Sequence, residues 1–597
     1  MKSIQDFNLK EITEKREYQK SPEAWDEQIF YFLLIDRFAS EKEYPLYDEK
    51  NDYENALKTD AAKDKWLESG EKWIGGSLKG ITDKLDYLKE LGVSVLWISP
   101  VLKQPVYSDN YHGYGTQNFL EIDPHFGTKA ELKNLVAEAH QKGIYIILDV
   151  IINHTADVLL YDADDAFYTG QDYPVKAFRD KDGKAVVDPD NPDYSTTWPE
   201  GGVWPQEIFN LETFSKKGYI RNWDSDPEFR EGDFFSLKNI NTGSGKVDDY
   251  KPSEALKVLT ECYKYWIAYA DLDGFRLDTV KHLDPGAVRF FVTEIKEFTQ
   301  TLGKKDFYIL GEITGGMEFA KSICENTGLD AALGINKIPE ILENVAKGYS
   351  AAENYFSIFT NSQVLSEGEN QWYHKRVITM FDDHDMVYKP KHKERFTADK
   401  KTAPLLKNAV FLNFFTAGIP CIYYGTEQAF DGSGDHDKYV RESMFGGEFG
   451  AFRTRNRSFF NSKHPVYQEM KKLAELRNEY IHLRLGRQYL REISDLKNKD
   501  FHLPQADQTR CREIIAWSRI FSQDEFLLAV NCELDRAQKA KVLIDSEIHL
   551  PGEKFVCVYS SNQKKIGEEL EIKAADQGKN YLELDIPAKG RAIYKSM

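Results

Sequence analysis

The sequence predicts a (β/α)8 barrel that carries an inserted subdomain after its third strand and ends in an antiparallel β-sandwich. Three observations point there. Short β-rich apolar runs alternate with amphipathic helical stretches over most of the chain, the mark of parallel βαβ units. The alternation lapses between about residues 155 and 250, far longer than an ordinary βα loop. Beyond residue 495 the apolar period changes to two, as in antiparallel strands. A chain of 597 residues exceeds a single core. It is read as an N-terminal extension (1–25), a barrel in two parts (26–154 and 251–495), an insertion (155–250) and a sandwich (496–597).

The barrel strands are expected at 28–35, 93–98, 144–149, 272–278, 307–312, 377–381 and 419–424, with a fainter run near 329–335 completing the eight. A helix over 81–91 before the second strand places Leu85, Leu88 and Leu91 on one face. Before the third strand, Thr128-Lys129-Ala130-Glu131 forms a capping box that opens a helix with Leu132, Leu135 and Val136 inside. Within the insertion, Asp182-Gly183 signals a hairpin. A helical stretch over 467–493 precedes sandwich strands at 513–521, 526–531, 541–544, 554–559 and 581–586.

Composition narrows the function. Lys and Arg total 78 against 97 Asp and Glu, a balance of −19 that repels phosphate backbones and anionic lipids. Nucleic acid, membranes and polyanionic substrates are therefore not expected as partners; a monomer or small homo-oligomer is. The six cysteines show no CxxC pair or zinc spacing and read as buried thiols in a reducing compartment. The first residues, Met1-Lys2-Ser3-Ile4-Gln5-Asp6, contain no apolar signal core, so a cytoplasmic location is expected, though a protein trimmed of its leader would look the same. The longest apolar run, 409–425, is broken by Asn413, Thr416, Gly418 and Pro420 and cannot span a bilayer. Aromatic residues make up 13% of the chain, enough to fill bulky cores and also to line a cleft for a neutral ligand.

Barrel enzymes place their chemistry at the C-terminal ends of the strands. Here the third strand runs into Asp149-Val150-Ile151-Ile152-Asn153-His154, and the fourth gives Gly274-Phe275-Arg276-Leu277-Asp278 followed by Lys281-His282. The fifth ends on Gly311-Glu312, and the seventh on Phe381-Asp382-Asp383-His384-Asp385. A lone Asp at a strand end is more often a helix cap than a catalyst. Four such segments in order aim carboxylates at one centre with Arg and His between them.

These four segments resemble the signature regions of the α-amylase superfamily of glycoside hydrolases. Tyr111-His112-Gly113-Tyr114, residues 31–38, and Gly418-Ile419-Pro420 with Tyr424-Gly425-Thr426-Glu427 are similar to further family segments. The insertion and the sandwich then correspond to the family's domains B and C around a TIM barrel. The resemblance implies Asp278 as nucleophile, Glu312 as general acid/base and Asp385 as a third carboxylate that binds sugar hydroxyls. Arg276, two residues from Asp278 and so on the same strand face, would hold it ionised. Tyr114 would stack on a sugar, and His112, His154 and His384 would donate to hydroxyls. Lys281 and His282 would grip the leaving-group side of an α-1,4-glucan.

The resemblance also implies Ca2+, with Asn153, Asn241 and the His282 carbonyl as ligands. Asn239 and Asn241 stand where family members often carry aspartates, so fewer charges would face the ion. Asp383 stands where the family often has Asn. No organic cofactor is implied. The expected activity is retaining hydrolysis of α-1,4 bonds in starch, glycogen or maltodextrin. A transglycosylase, an exo-acting α-glucosidase and a non-catalytic glucan-binding member are the alternatives. Tyr161, Phe167, Tyr168, Trp198 and Trp204 of the insertion are the first candidates for glucan platforms.

Overall fold

The computed structural model describes residues 1–48, 69–335, 337–359, 375–446, 456–506 and 510–597. At its centre lie eight parallel strands: β1 (Phe30–Leu33), β2 (Val95–Ile98), β3 (Tyr145–Val150), β4 (Gly274–Leu277), β5 (Tyr308–Gly315), β6 (Ala331–Ile335), β7 (Ile378–Thr379) and β8 (Ile419–Tyr423). They are hydrogen-bonded in the order β6-β5-β4-β3-β2-β1-β8-β7. One parallel bridge, Ala332 to Val377, joins the two ends and closes the barrel. The faint run near 329–335 is β6. Strands such as β1 and β2 are apolar throughout and fully buried, as expected where helices cover the outside and side chains fill the inside.

The helices form where caps and spacing direct them. Thr128 and Glu131 make the reciprocal capping box, and Lys129–Gln141 buries Leu132, Leu135 and Val136. The helix expected over 81–91 is two, Leu78–Asp83 and Leu85–Leu91, with Leu85, Leu88 and Leu91 buried as anticipated. It stops at Gly92, whose φ of 98° suits only glycine and where a Cβ would come within 2.3 Å of Ala474.

The insertion holds a three-stranded sheet of Leu159–Tyr161, Val175–Arg179 and Ala185–Val187. The last two form the expected hairpin, with Gly183 at φ 78° and Asp180 Oδ1 accepting from the Asp182 and Lys184 amides at 2.9 Å each. A two-stranded pair, His154–Thr155 with Lys238–Asn239, ties the insertion to the end of β3. Lys238 is buried there between Asp157 at 3.3 Å and Asp233 at 3.4 Å, beneath the rings of Tyr161 and Tyr219. Paired carboxylates and aromatic faces are what a buried ammonium requires.

The sandwich consists of a six-stranded and a four-stranded antiparallel sheet around its own apolar core. The helix read over 467–493 ends earlier, as Pro465–Glu479 and Ile481–Leu485. Gly486 turns the chain extended, and Arg487–Leu490 and Ile493–Ser494 join the two sandwich sheets. The N-terminal segment lies against the end of helix Glu254–Ala270, where Arg16 donates to the Tyr269 carbonyl at 2.8 Å and the Gln19 amide to Asp271 at 3.0 Å. All six cysteines are free and buried. Among the described residues no helix is long and apolar enough to cross a membrane.

Candidate active site

The C-terminal ends of β3, β4, β5 and β7 bring Asp149, Asp278, Glu312 and Asp385 to one centre. Arg276, in β4 and almost wholly buried, organises it. Its guanidinium reaches Asp149 at 3.0 and 3.1 Å, Asp278 Oδ1 at 2.5 Å and Glu312 Oε2 at 2.9 Å. Asp278 and Glu312 thus sit on adjacent nitrogens of one planar group, which accords with the ~5–5.5 Å separation of a retaining carboxyl pair. Glu312 also accepts from the Thr279 amide at 3.0 Å, and Thr279 adopts φ 49° to present it.

One cation serves three carboxylates in a site screened from water. Burial pushes Glu312 up to about 7, against the pull of Arg276 and with Asp278 and Asp385 adding to the rise. Burial likewise raises Asp149 to about 8 and lifts Asp278, again opposed first by Arg276. The cluster therefore retains a proton at neutral pH. Tyr114 donates to Asp149 at 2.8 Å and lies 2.9 Å from His384 Nε2; burial raises its pKa far enough to keep its hydroxyl protonated.

The β7 end supplies the other wall. Asp385 Oδ2 lies 3.1 Å from His384 Nε2, and its Oδ1 accepts from Arg441 at 2.6 Å. Arg441 also donates to the His384 carbonyl at 2.9 Å, fixing both residues at once. Asp383 Oδ1 accepts from the amides of Asp385, at 2.7 Å, and Met386. It brackets the turn that presents Asp385.

The family model described as "Alpha amylase, catalytic domain" matches residues 52–486. The chain belongs to the alpha-amylase family. Among curated relatives, a Streptomyces lividans protein named alpha-amylase is 30% identical over 462 residues, covering 70% of this chain and 48% of its own. A Klebsiella oxytoca cyclomaltodextrin glucanotransferase is 25% identical, with 75% and 64% covered. The chain spans only 48% and 32% of the first two curated relatives it matches. Among solved structures, an α-amylase from Geobacillus thermoleovorans superposes with a TM-score of 0.65 at 21% identity, covering 96% of this chain and 99% of the other. At that identity the likeness speaks for the fold.

Within this site the structure disposes the remaining sequence candidates unevenly. His112 Nδ1 accepts from the Tyr114 amide at 3.1 Å, and its ring stacks beside Tyr114. Burial holds His112 neutral, down to about 3, and His154 and His282 to about 4. His384 is lowered well below its ordinary value for the same reason. They are neutral hydrogen-bonding groups. Both ring nitrogens of His154 face internal partners, Asn153 Nδ2 at 3.3 Å and the Tyr114 carbonyl at 3.2 Å. Its place is to seat Tyr114. Lys281 pairs with Asp224 at 2.8 Å, and His282 Nδ1 bonds the Phe229 carbonyl at 2.7 Å.

Of the insertion aromatics named from sequence, Trp204 and Tyr161 are buried, Trp204 donating to Gly201 O at 2.8 Å; both are core. Phe167 is partly exposed but carries the Arg221 guanidinium 4.0 Å above its ring. Sequence reasoning missed Arg441 and the cluster of Trp223, Phe234 and Phe235, which packs on His282. Phe235 is 67% exposed at φ 56°, and aromatic bulk in that conformation, left in solvent, was the available signal only once the backbone was known.

The residues expected to hold calcium do not form a charged cage. Asn241 is exposed at a turn, its amide facing the Glu212 carbonyl and the Gly243 N–H. Asn153 is buried against His154, and its carbonyl accepts from the Ile240 amide at 2.8 Å. Among the described residues no group of three or more His, Cys, Asp or Glu stands together as a metal site. Neutral donors alone fit the ion poorly.

Proposed function

We infer that the protein is a glycoside hydrolase that cleaves α-1,4 bonds of starch, glycogen or maltodextrin with retention of configuration. The observation that carries this is Arg276 bridging Asp278 and Glu312 at adjacent strand ends, with Glu312 poised near neutrality. In the first step Asp278, ionised by its contact with Arg276, attacks the anomeric carbon while Glu312 gives its proton to the leaving oxygen. The glycosidic bond breaks as the bond to Asp278 forms. In the second, Glu312, now a carboxylate, takes a proton from water, which displaces Asp278 and restores both groups. Asp385, held by Arg441 and His384, faces the sugar hydroxyls, and Tyr114 offers a flat face beside them. The −19 charge accords with an uncharged substrate.

Proton NMR of fresh digests of maltoheptaose tests the reading: the α-anomer should appear first, and Asp278→Asn should abolish turnover while leaving maltoheptaose binding measurable. Initial β-anomer, or near-full activity of Asp278→Asn, would refute it. The kinship with a glucanotransferase favours one secondary reading, partial transfer to sugar acceptors, for which exposed Phe235 offers an apolar face outside the hydrolytic centre.

A further inference from the structure

The buried arginines of the catalytic centre, Arg276 and Arg441, each face a carboxylate. Two other arginines are buried as deeply and face none. Arg477, on helix Pro465–Glu479, is 1% exposed, and Arg519, on the sandwich strand Ile514–Phe521, is 0% exposed. They lie where the sandwich packs on the barrel, far from the chemistry. The carbonyls of Phe414 and Asp26, which accept from Arg477, stand shortly before β8 and β1. That is the N-terminal end of the barrel, opposite Asp278 and Glu312.

Consecutive carbonyls hold the two cations side by side. Arg477 Nη1 donates to Phe414 O at 2.6 Å and to Leu483 O at 3.3 Å, and Nη2 to Asp26 O at 3.4 Å. Arg519 takes the carbonyls on either side of Leu483: Nη2 donates to Arg484 O at 2.8 Å and Nε to His482 O at 3.5 Å. Its Nη1 reaches Gln488 Oε1 at 3.4 Å. Every one of these acceptors is a neutral oxygen. Among the described residues neither guanidinium forms an ion pair, and the buried Arg477 Nε has no acceptor.

The local charge does not balance. A third arginine, Arg484, pairs with Glu27 at 2.6 Å. The Asp26 carboxyl acts on Arg477 only through space, and burial raises its own pKa. Even with Asp26 ionised, three guanidinium groups face two carboxylates. Burial, with Arg477 alongside, lowers Arg519 to about 9, and burial, with Arg484 alongside, lowers Arg477 to about 10. Both remain charged at neutral pH. A buried charge is costly unless an opposite charge accompanies it.

We propose that a small monovalent anion, chloride, binds between Arg477 and Arg519 and ties the sandwich to the N-terminal end of the barrel. One negative charge cancels a surplus of one. A spherical ion accepts from any direction, which suits two guanidinium forks whose other N–H groups are already given to carbonyls. Full burial of both side chains favours an ion of this size over phosphate or a carboxylic acid.

Thermal melts in sodium chloride and in sodium gluconate at one ionic strength test the site independently of the hydrolase reading. The wild-type Tm should climb with chloride, by ~2 °C over a hundredfold range. Arg519→Met should melt at the same temperature in both salts. A wild-type Tm indifferent to the anion would overturn the proposal, and so would a chloride response that survives in Arg519→Met. Crystals grown in sodium bromide need no variant: the anomalous difference map should place bromide within hydrogen-bond reach of both guanidinium groups. Bromide at surface positions only, or none at all, would overturn it.

Discussion

Replacing Asp383 by asparagine should stabilise the protein, and only above acid pH. Asp383 contributes to the fold through Oδ1, which accepts from the Asp385 and Met386 amides. An asparagine oxygen can accept the same two bonds. What it lacks is the charge, and the charge is costly here: burial, reinforced by Asp385, raises Asp383 from 3.8 to about 6. Below pH 4 both folded and unfolded chains hold the proton, and nothing is lost. Between pH 4 and 6 the unfolded chain ionises first, so stability declines as pH rises, and above 6 the penalty is constant. A rise of two units corresponds to ~3 kcal/mol. Asp383 is only partly shielded from solvent, so ~1–2 kcal/mol is the realistic gain for Asp383→Asn at pH 8. Urea melts at pH 4 and pH 8, compared with wild type, read this directly. A variant equally stabilised at both pH values, or less stable at pH 8, would refute the argument.

Other outcomes follow from the same geometry. The alkaline limb of kcat/KM should fall near pH 7, as Glu312 loses the proton it must donate, and Glu312→Gln should remove that limb while retaining measurable turnover of an α-maltosyl fluoride, whose leaving group needs no acid; a limb near pH 9 in wild type would contradict the role. Arg441→Met leaves Asp385 without its buried cation and should cost ~2–3 kcal/mol in a urea melt, with a fall in kcat; an unchanged melt would show the pair to be idle. Lys281→Ala should weaken maltoheptaose more than maltotriose, and equal effects would argue against its leaving-group role. Because the candidate ligands Asn153 and Asn241 are neutral and internally engaged, EDTA should leave the melting temperature unchanged; a drop of several degrees would reveal a structural ion.

The barrel was legible because apolar runs alternate with amphipathic stretches, and several runs break on a charged residue that is also a functional candidate: Asp278, Glu312 and Asp385 announce both the end of a strand and the chemistry above it. β6 was faint because Ala331, Ala332 and Gly334 carry little apolar bulk. Arg441 was illegible for a different reason. It lies on an irregular segment after β8, and nothing in its local pattern tells that it folds back 2.6 Å from Asp385. The insertion aromatics misled because bulk and platform look alike in sequence; burial alone separates Trp204 from Phe235. The helix drawn through to residue 493 overran because Gly486 was the sole breaker before the amphipathic pattern gave way to the edge strands at 487–494.

The lone bridge between Ala332 and Val377 gives the barrel a seam. Every other neighbouring pair of barrel strands shares at least two registered residues, whereas β6 and β7 are joined at one point among the described residues. Amide protons along this line should be the first of the barrel to exchange with solvent deuterium. The cylinder would then breathe between β6 and β7 while β1 to β5, which carry the nucleophile and Arg276, stay shut. Such an arrangement separates the two demands on a polysaccharide enzyme: rigidity where electrons move, and give where an irregular polymer has to enter.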